Sequence, residues 1–323
     1  MKILLFLATI LCSISTKAQW SYVGNAGFST GNTTQHSLAL DENGTQYVAY
    51  SDGSDSNKAT VMKFDGVNWV NVGNTGFSSG AVNDISIALD NNDIPYVAFS
   101  DEGNGGKISV VKLETDVWTI VGTSGFSANS VSFVNLAINN LNELYVSYSD
   151  TANGSRSSVM KFNSASWVSV GGLGFSNGQS YYNTLAIDNN NVIYVAMRDG
   201  GLSDGISLYR FNGNSWDNNS FLASGIYTAY HTLAIDNSNT PNIAYNTENY
   251  GASVVKFNGT TWEIIGNNNF SGGSNNAWFT TLVIDNNDKL YVGYQDWSYP
   301  NGAKSSVMTF NGSAWEYIGS SGF

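Results

Sequence analysis

The sequence contains little cysteine, proline, histidine or charge. Its 323 residues include 1 Cys, 3 Pro and 2 His, and Asp, Glu, Lys and Arg together make up 12%. A single cysteine excludes a disulfide framework within the chain, and two histidines alone are a poor zinc site. Low charge combined with 13% aromatic residues and 34 Gly argues against disorder and favours a turn-rich β protein.

Residues 1–18 have the pattern of a secretory signal peptide. Lys2 precedes a mostly apolar run at residues 3–12, and Thr-Lys-Ala at 16–18 is an acceptable cleavage site. The run is too short to span a bilayer comfortably, and no later stretch is apolar enough. The sequence therefore predicts export to the cell exterior or cell surface, no membrane insertion, and a mature chain without cysteine because Cys12 lies in the signal.

The charge balance is acidic, with 13 basic and 25 acidic residues and a formal net charge of −12. Such a surface repels nucleic acid phosphates and anionic lipids. We therefore expect no nucleic acid partner. The sequence predicts no particular oligomeric state.

The chain is built from copies of one unit, marked by a tryptophan that recurs every 46 to 53 residues. A fixed period of this length indicates a propeller or a solenoid. One domain over residues 19–323 follows, because equal units stacked in series share their cores. The marker residues are Trp20, Trp69, Trp118, Trp167, Trp216, Trp262 and Trp315.

Each unit contains four short β segments, which in the first unit lie at residues 36–40, 46–51, 59–64 and 69–72. Asp/Asn-rich turns join the first two segments, and Asp-Gly or Asn-Gly turns join the last two. Six complete units predict an all-β, six-bladed propeller of four-stranded antiparallel blades. A partial seven-bladed propeller and a parallel β-helix are the alternatives. The sequence contains seven tryptophan strands for six blades. We expect that one terminal strand completes the last blade and that the other overlaps it. The alternative is that the chain stops where another unit would begin.

Residues that recur in nearly every unit are interpreted as structural. The tryptophans, and the phenylalanines eight residues after them, are predicted to pack between blades. A recurring acid such as Asp52 is predicted to pair with a base eleven residues later, such as Lys63, across the central hairpin. Calcium binding at the Asp/Asn turns is an alternative, although none of these turns has the residue spacing of a calcium loop. We expect no catalytic residues, no metal site and no cofactor otherwise.

Aromatic residues are concentrated in the variable loops of blades three to six, on one face. Tyr and Trp amid Asn, Ser and Asp suit a sugar ring or a protein epitope. The predicted ligand-binding residues are Tyr181, Tyr182, Tyr227, Tyr230, Trp278, Trp297 and Tyr299.

The unit Leu-Ala-Ile-Asp-Asn, ending in Tyr-Val-Ala at residues 185–196, resembles repeats of secreted bacterial propeller proteins. It is also similar to NHL repeats and, in size and aromatic content, to lectin propellers. The resemblance implies a non-catalytic module that binds glycan or an extracellular protein. The alternatives are a structural unit of a surface array and a hydrolase or lyase that acts on polysaccharide. The lack of a catalytic motif favours the binding module and the structural unit over the enzyme.

Overall fold

The sequence folds as a ring of antiparallel sheets. The computed structural model describes residues 20–219, 228–247, 251–272, 277–298, 300 and 302–323. Segments rich in β-branched and aromatic residues form six sheets of four strands each, and within each sheet the strands follow chain order. The predicted six-bladed β-propeller is therefore confirmed.

The strands are numbered along the chain. The first strands of the blades are β1 Thr33–Leu40, β5 Val82–Leu89, β9 Val131–Ile138, β13 Ser180–Ile187, β17 Thr228–Ile235 and β21 Ala277–Ile284. The second strands are β2 Gln46–Asp52, β6 Pro95–Asp101, β10 Leu144–Asp150, β14 Ile193–Asp199, β18 Pro241–Thr247 and β22 Leu290–Asp296. The third strands are β3 Lys58–Phe64, β7 Lys107–Glu114, β11 Arg156–Phe162, β15 Gly205–Phe211, β19 Ser253–Phe257 and β23 Lys304–Phe310. The fourth strands are β4 Trp69–Asn71, β8 Val117–Ile120, β12 Trp167–Ser169, β16 Trp216–Asn218, β20 Trp262–Ile264 and β24 Trp315–Tyr317.

Short 3-10 helices join the second and third strands of the first four blades. They lie at Gly53–Asp55, Glu102–Asn104, Thr151–Asn153 and Gly200–Leu202. Within the described ranges no helix is long and apolar enough to cross a membrane. The predicted signal peptide lies outside the described residues and stays a prediction.

The cores lie between neighbouring blades. Val61, Val110, Val159 and Leu208, at the centres of third strands, are fully buried. In the described part of the chain, five apolar clusters join blade one to two, two to three, and so on to blade six. Burying one such side chain contributes about 1.5–3 kcal/mol, so these interfaces hold the ring together.

The outer rim is held by the recurring Trp and Phe residues. The indole N–H of Trp118 donates to the Val72 carbonyl of the preceding blade at 2.9 Å, and the ring stacks on Phe77 at 4.7 Å. Trp167, Trp216 and Trp315 repeat both contacts. The predicted packing role of these residues between blades is confirmed.

The two ends of the chain meet at this rim. Trp315 belongs to β24 and completes blade six. Trp20 donates to the Ile318 carbonyl at 2.9 Å and stacks on Phe323 at 4.4 Å. Trp315 therefore completes the last blade as expected, whereas the Trp20 segment lies beside that blade on the rim and does not join its sheet.

Candidate functional site

A β-bulge in each first strand shapes the mouth of the central channel. In blade four, Tyr182 and Asn183 together lie opposite the single residue between Ala196 and Arg198. The bulge residue has a positive φ in five blades, at Gln35, Phe133, Tyr182, Tyr230 and Phe279. This conformation is unusual for aromatic residues, and such strain is concentrated at functional sites.

Four of these bulge residues form a continuous band of rings, which we name the aromatic arc. Their ring centroids lie 5.0 Å apart for Phe133 and Tyr182, and 5.3 Å apart for Tyr182 and Tyr230. The step from Tyr230 to Phe279 is 4.2 Å. Phe279 is 56% exposed, so the arc presents an apolar surface to solvent at the mouth of the channel.

The structure brings together some of the predicted site residues. Tyr182 and Tyr230 are in the arc, Tyr181 lies 6.3 Å from Phe133, and Trp278 lies 6.2 Å from Tyr230. All four belong to first strands and not to loops, because these strands begin three residues earlier than predicted.

The remaining predicted residues lie outside the arc. Trp297 follows β22, is 52% exposed, and donates from its indole N–H to Gln295 at 3.0 Å. Gln295 pairs in register with Trp278, so Trp297 lies on the same face of the ring but without a ring contact to the arc. Tyr227 and Tyr299 lie outside the described residues.

A cation, Arg198, borders the arc in blade four. The guanidinium carbon of Arg198 lies 4.6 Å from the Tyr181 ring centroid and 5.5 Å from that of Tyr182. Its Nε lies 3.4 Å from Asp204. The contacts fix both tyrosine rings by cation–π attraction. The first three blades have Ser51, Ser100 and Ser149 at this place, and this departure from the repeat is the signal that sequence reasoning missed.

Asp84 is the bulge residue of blade two and continues the ring of side chains next to Phe133. Burial raises the pKa of Asp84 to about 6, and the backbone N–H of Phe133 opposes this shift. The channel mouth therefore holds a carboxyl group whose pKa lies closer to neutral pH than is usual for Asp.

First-strand residues of all six blades line one cavity of about 360 Å³ below the arc. Asn183 is 2% exposed, and neither its side-chain oxygen nor its nitrogen has a hydrogen-bond partner. His231 is 4% exposed, and burial lowers its pKa to about 4, so the ring is neutral. The Ala196 carbonyl opposes this shift, but neither ring nitrogen has a well-formed hydrogen bond. Because buried polar groups are usually paired, these atoms mark places where a ligand could bond.

The recurring acids belong to the scaffold. Asp150 accepts from the Ala152 N–H at 3.1 Å and the Ser158 hydroxyl at 2.9 Å, and so caps the 3-10 helix. Its register partner is Arg156, whereas Lys161 pairs with Tyr145 at the opposite end of the hairpin. The predicted pairs of Asp with the base eleven residues later are therefore wrong.

The Asp/Asn turns are closed by their own backbone. Asp41 accepts from the N–H groups of Asn43 and Thr45 at 2.9 and 2.7 Å, and the other blades repeat the pattern. In the part of the chain that the structure describes, no three His, Cys, Asp or Glu side chains are grouped as metal ligands. Calcium binding at these turns stays a prediction.

The fold and the site define a six-bladed β-propeller with an aromatic channel mouth. Neither a protein-family model nor a curated protein sequence matches this chain. Solved structures, however, match this chain in fold. An ulvan lyase, a polysaccharide lyase bound to -[GlcA(1-4)Rha3S]-, has a TM-score of 0.64 at 12% identity, with 90% of this chain and 85% of that chain covered.

Two other similar structures are of nearly the same length. The Aleuria aurantia lectin, solved as a mutant with Fucalpha1-6GlcNAc, has a TM-score of 0.55 at 13% identity over 88% of this chain and 94% of that one. A protein of unknown function from Dyadobacter fermentans has a TM-score of 0.57 at 12% identity over 87% and 96%. At these identities the likeness concerns the fold alone.

Proposed function

We propose that this protein is an exported, non-catalytic carbohydrate-binding propeller, with its binding site at the channel mouth. The aromatic arc carries the proposal, because four contiguous rings offer flat apolar faces on which the C–H faces of a sugar can stack. The unpaired Asn183 amide and the Asp84 carboxyl supply hydrogen bonds below the rings. The cavity volume is within the range of about 300–1,000 Å³ typical of small-ligand sites.

Charge favours a neutral sugar over a uronic acid. The chain has a formal net charge of −12, and the carboxyl of Asp84 is next to the arc. An anionic saccharide would be repelled by both. The lectin propellers among the similar structures are solved with fucose-containing sugars, which supports the class of ligand but not its identity.

A glycan array tests the proposal, followed by calorimetric titration of the sugars that bind. Neutral oligosaccharides are expected to bind and uronate-containing ones are not. Tyr230→Ala is expected to weaken binding about ten-fold or more, or about 1.4 kcal/mol. Gln35→Ala is the matched control, because Gln35 has the same bulge conformation but lies outside the arc. An array without binders, or equal binding by Tyr230→Ala, would contradict the proposal.

Polysaccharide cleavage is a second candidate, favoured by Asp84. A carboxyl with a pKa of about 6 suits proton transfer near neutral pH. Chain scission of a polysaccharide that Asp84→Asn abolishes, without loss of binding, would establish an enzyme in place of a binding module.

A further inference from the structure

The outer rim has one more unit than the ring has blades. Trp69 of blade one donates its indole N–H to the Val23 carbonyl at 2.8 Å, and not to blade six. Trp20 in turn donates to Ile318 of blade six at 2.9 Å. Residues 20–28 therefore stand between blade six and blade one, where they occupy a seventh position on the rim. We call this junction the seam.

Residues 20–23 have the place of a fourth strand without the rest of its sheet. A Cβ on Gly24 would meet the Phe64 and Trp69 rings, as one on Gly122 would meet Phe162 and Trp167. Phe28 stacks on Trp69 at 4.3 Å, like its equivalents in the blades. In the described ranges, however, no third strand pairs with this segment, and Tyr22 is 80% exposed.

The face of blade one at the seam is uncovered along its first strand, β1. Leu38 is 61% exposed, whereas its equivalents Ile87 and Leu136 are 5% and 7% exposed against their preceding blades. His36 is exposed as well, although Ile85 and Val134 at the same position are buried. The first strand of blade one thus presents Leu38 and Leu40 to solvent, whereas Tyr50 and Met62, farther out on the same face, are 2% and 8% exposed.

The face of blade six at the seam is uncovered in the same way. Val283 is 59% exposed, while Ala88, its equivalent in blade two, packs into the core shared with blade three. Ser305 is exposed, whereas Ala59 and Ile206 at the same position are fully buried. No apolar cluster joins blades six and one among the described residues.

We propose that the seam binds a three-stranded antiparallel β unit that carries the repeat's own pattern. Its first strand would complete the inner ring between β21 and β1, and its third strand would pair with residues 20–23. The two uncovered faces would then be buried as the other five interfaces are. The unit supplies three strands and not four, because Trp20 and its neighbours already hold the fourth position.

Other occupants fit less well. A blade of a second copy would bring its own fourth strand, which would collide with residues 20–23. Residues 1–19 are too few, because the first three strands of blade one span residues 33–64. A sugar is too polar to cover the exposed side chains of Leu38 and Val283 on two facing sheets.

The test extends the full chain after Phe323 with a copy of residues 78–114, which contain β5, β6 and β7. Hydrogen exchange is measured on the extended and unextended chains. The extension is expected to slow exchange in β1 and β21 and around Tyr22 by about ten-fold or more, and to make the added strands resistant to protease. A control extension carries Ile87→Asp, Val97→Asp and Val110→Asp in the copy, and it is expected to give no protection.

Three results would overturn the proposal. The added segment is trimmed back to Phe323 without protecting β1 and β21. Alternatively, β1 and β21 of the unextended monomer exchange as slowly as β9 and β13, which would mean that the seam closes on itself. Finally, the unextended chain forms a dimer that protects β1 and β21, which would make a second copy the occupant.

Discussion

The rings of Tyr230 and Phe279 lie with their centroids 4.2 Å apart although the two residues belong to neighbouring blades. Both are bulge residues with positive φ, so the backbone of two first strands turns these side chains toward the same opening. The repeated scaffold thus supplies the geometry, and the identity of one residue per blade supplies the chemistry.

Removing one ring of the arc should weaken sugar binding more than removing an aromatic side chain farther out. We expect Phe279→Ala to weaken sugar binding about ten-fold, because stacking and buried area are lost together. Trp297→Ala should change the affinity less than two-fold, because Trp297 has no ring contact with the arc (a factor of two is about 0.4 kcal/mol). Titration calorimetry on both variants checks the pair, and equal losses would shift the site to the outer residues.

The buried His231 and the half-buried Asp84 should give opposite pH dependences of stability. The pKa of His231 is lowered from 6.5 to about 4, so the unfolded chain binds its proton first and stability falls as pH drops through this window. The pKa of Asp84 is raised from 3.8 to about 6, so its folded state binds the proton more tightly and stability falls as pH rises. Each effect is about 3 kcal/mol at most.

Variants separate these two contributions. Relative to the unchanged chain, Asp84→Asn should gain stability as pH rises from 4 to 6. His231→Asn introduces into blade five the residue type that blade four has at the equivalent position, Asn183. This variant should lose stability over the same range. Urea unfolding at several pH values measures both slopes. Parallel curves for the two variants would mean that neither group is buried as described.

The strand-end acids should matter far more than the turn acids. Asp199 is fully buried and accepts from the N–H groups of Gly178 and Gly201 and from the Ser207 hydroxyl. Asp199→Ala should cost about 3 kcal/mol, because several buried donors lose their acceptor. Asp65→Ala should cost far less, because its donors, the N–H groups of Val67 and Asn68, lie in an exposed turn where water can replace the carboxylate. Thermal and urea unfolding give the comparison, and similar losses would refute the capping role.

Substitution of equivalent leucines by alanine should change the free energy of unfolding differently at the seam and in a closed blade interface. Leu136→Ala should destabilise by about 2–5 kcal/mol, because it leaves a cavity between blades two and three. Leu38→Ala should cost less than about 0.5 kcal/mol, because that side chain is 61% exposed. A large loss for Leu38→Ala would show that the seam is packed in solution.

The repeat made most of the fold predictable. The spacing of Trp20, Trp69 and their counterparts set the number of units, and Asn-Gly and Asp-Gly turns located the hairpins. The first strand was predicted to start at residue 36 because the bulge interrupts the alternation of side chains. For that reason the sequence pattern predicts loops at the bulge residues, and it does not indicate that Asp84 is their equivalent.

Other features depend on register or on the third dimension. Asp52 pairs with Lys58, so a base at residue 63 is five residues farther along the strand, and the predicted charge pair fails. Counting residues outward from the turn of the hairpin gives Lys58 as the partner of Asp52. The unpaired state of Asn183 could not be predicted in this way, because it depends on which neighbouring blades surround the side chain.

The position of a bound sugar in a crystal tests the central claim most directly. We predict a neutral saccharide that stacks on Tyr230 and Phe279 and forms hydrogen bonds with the side chains of Asn183 and Asp84. A sugar bound at the outer rim near the Trp and Phe stacks, with an empty channel mouth, would contradict it.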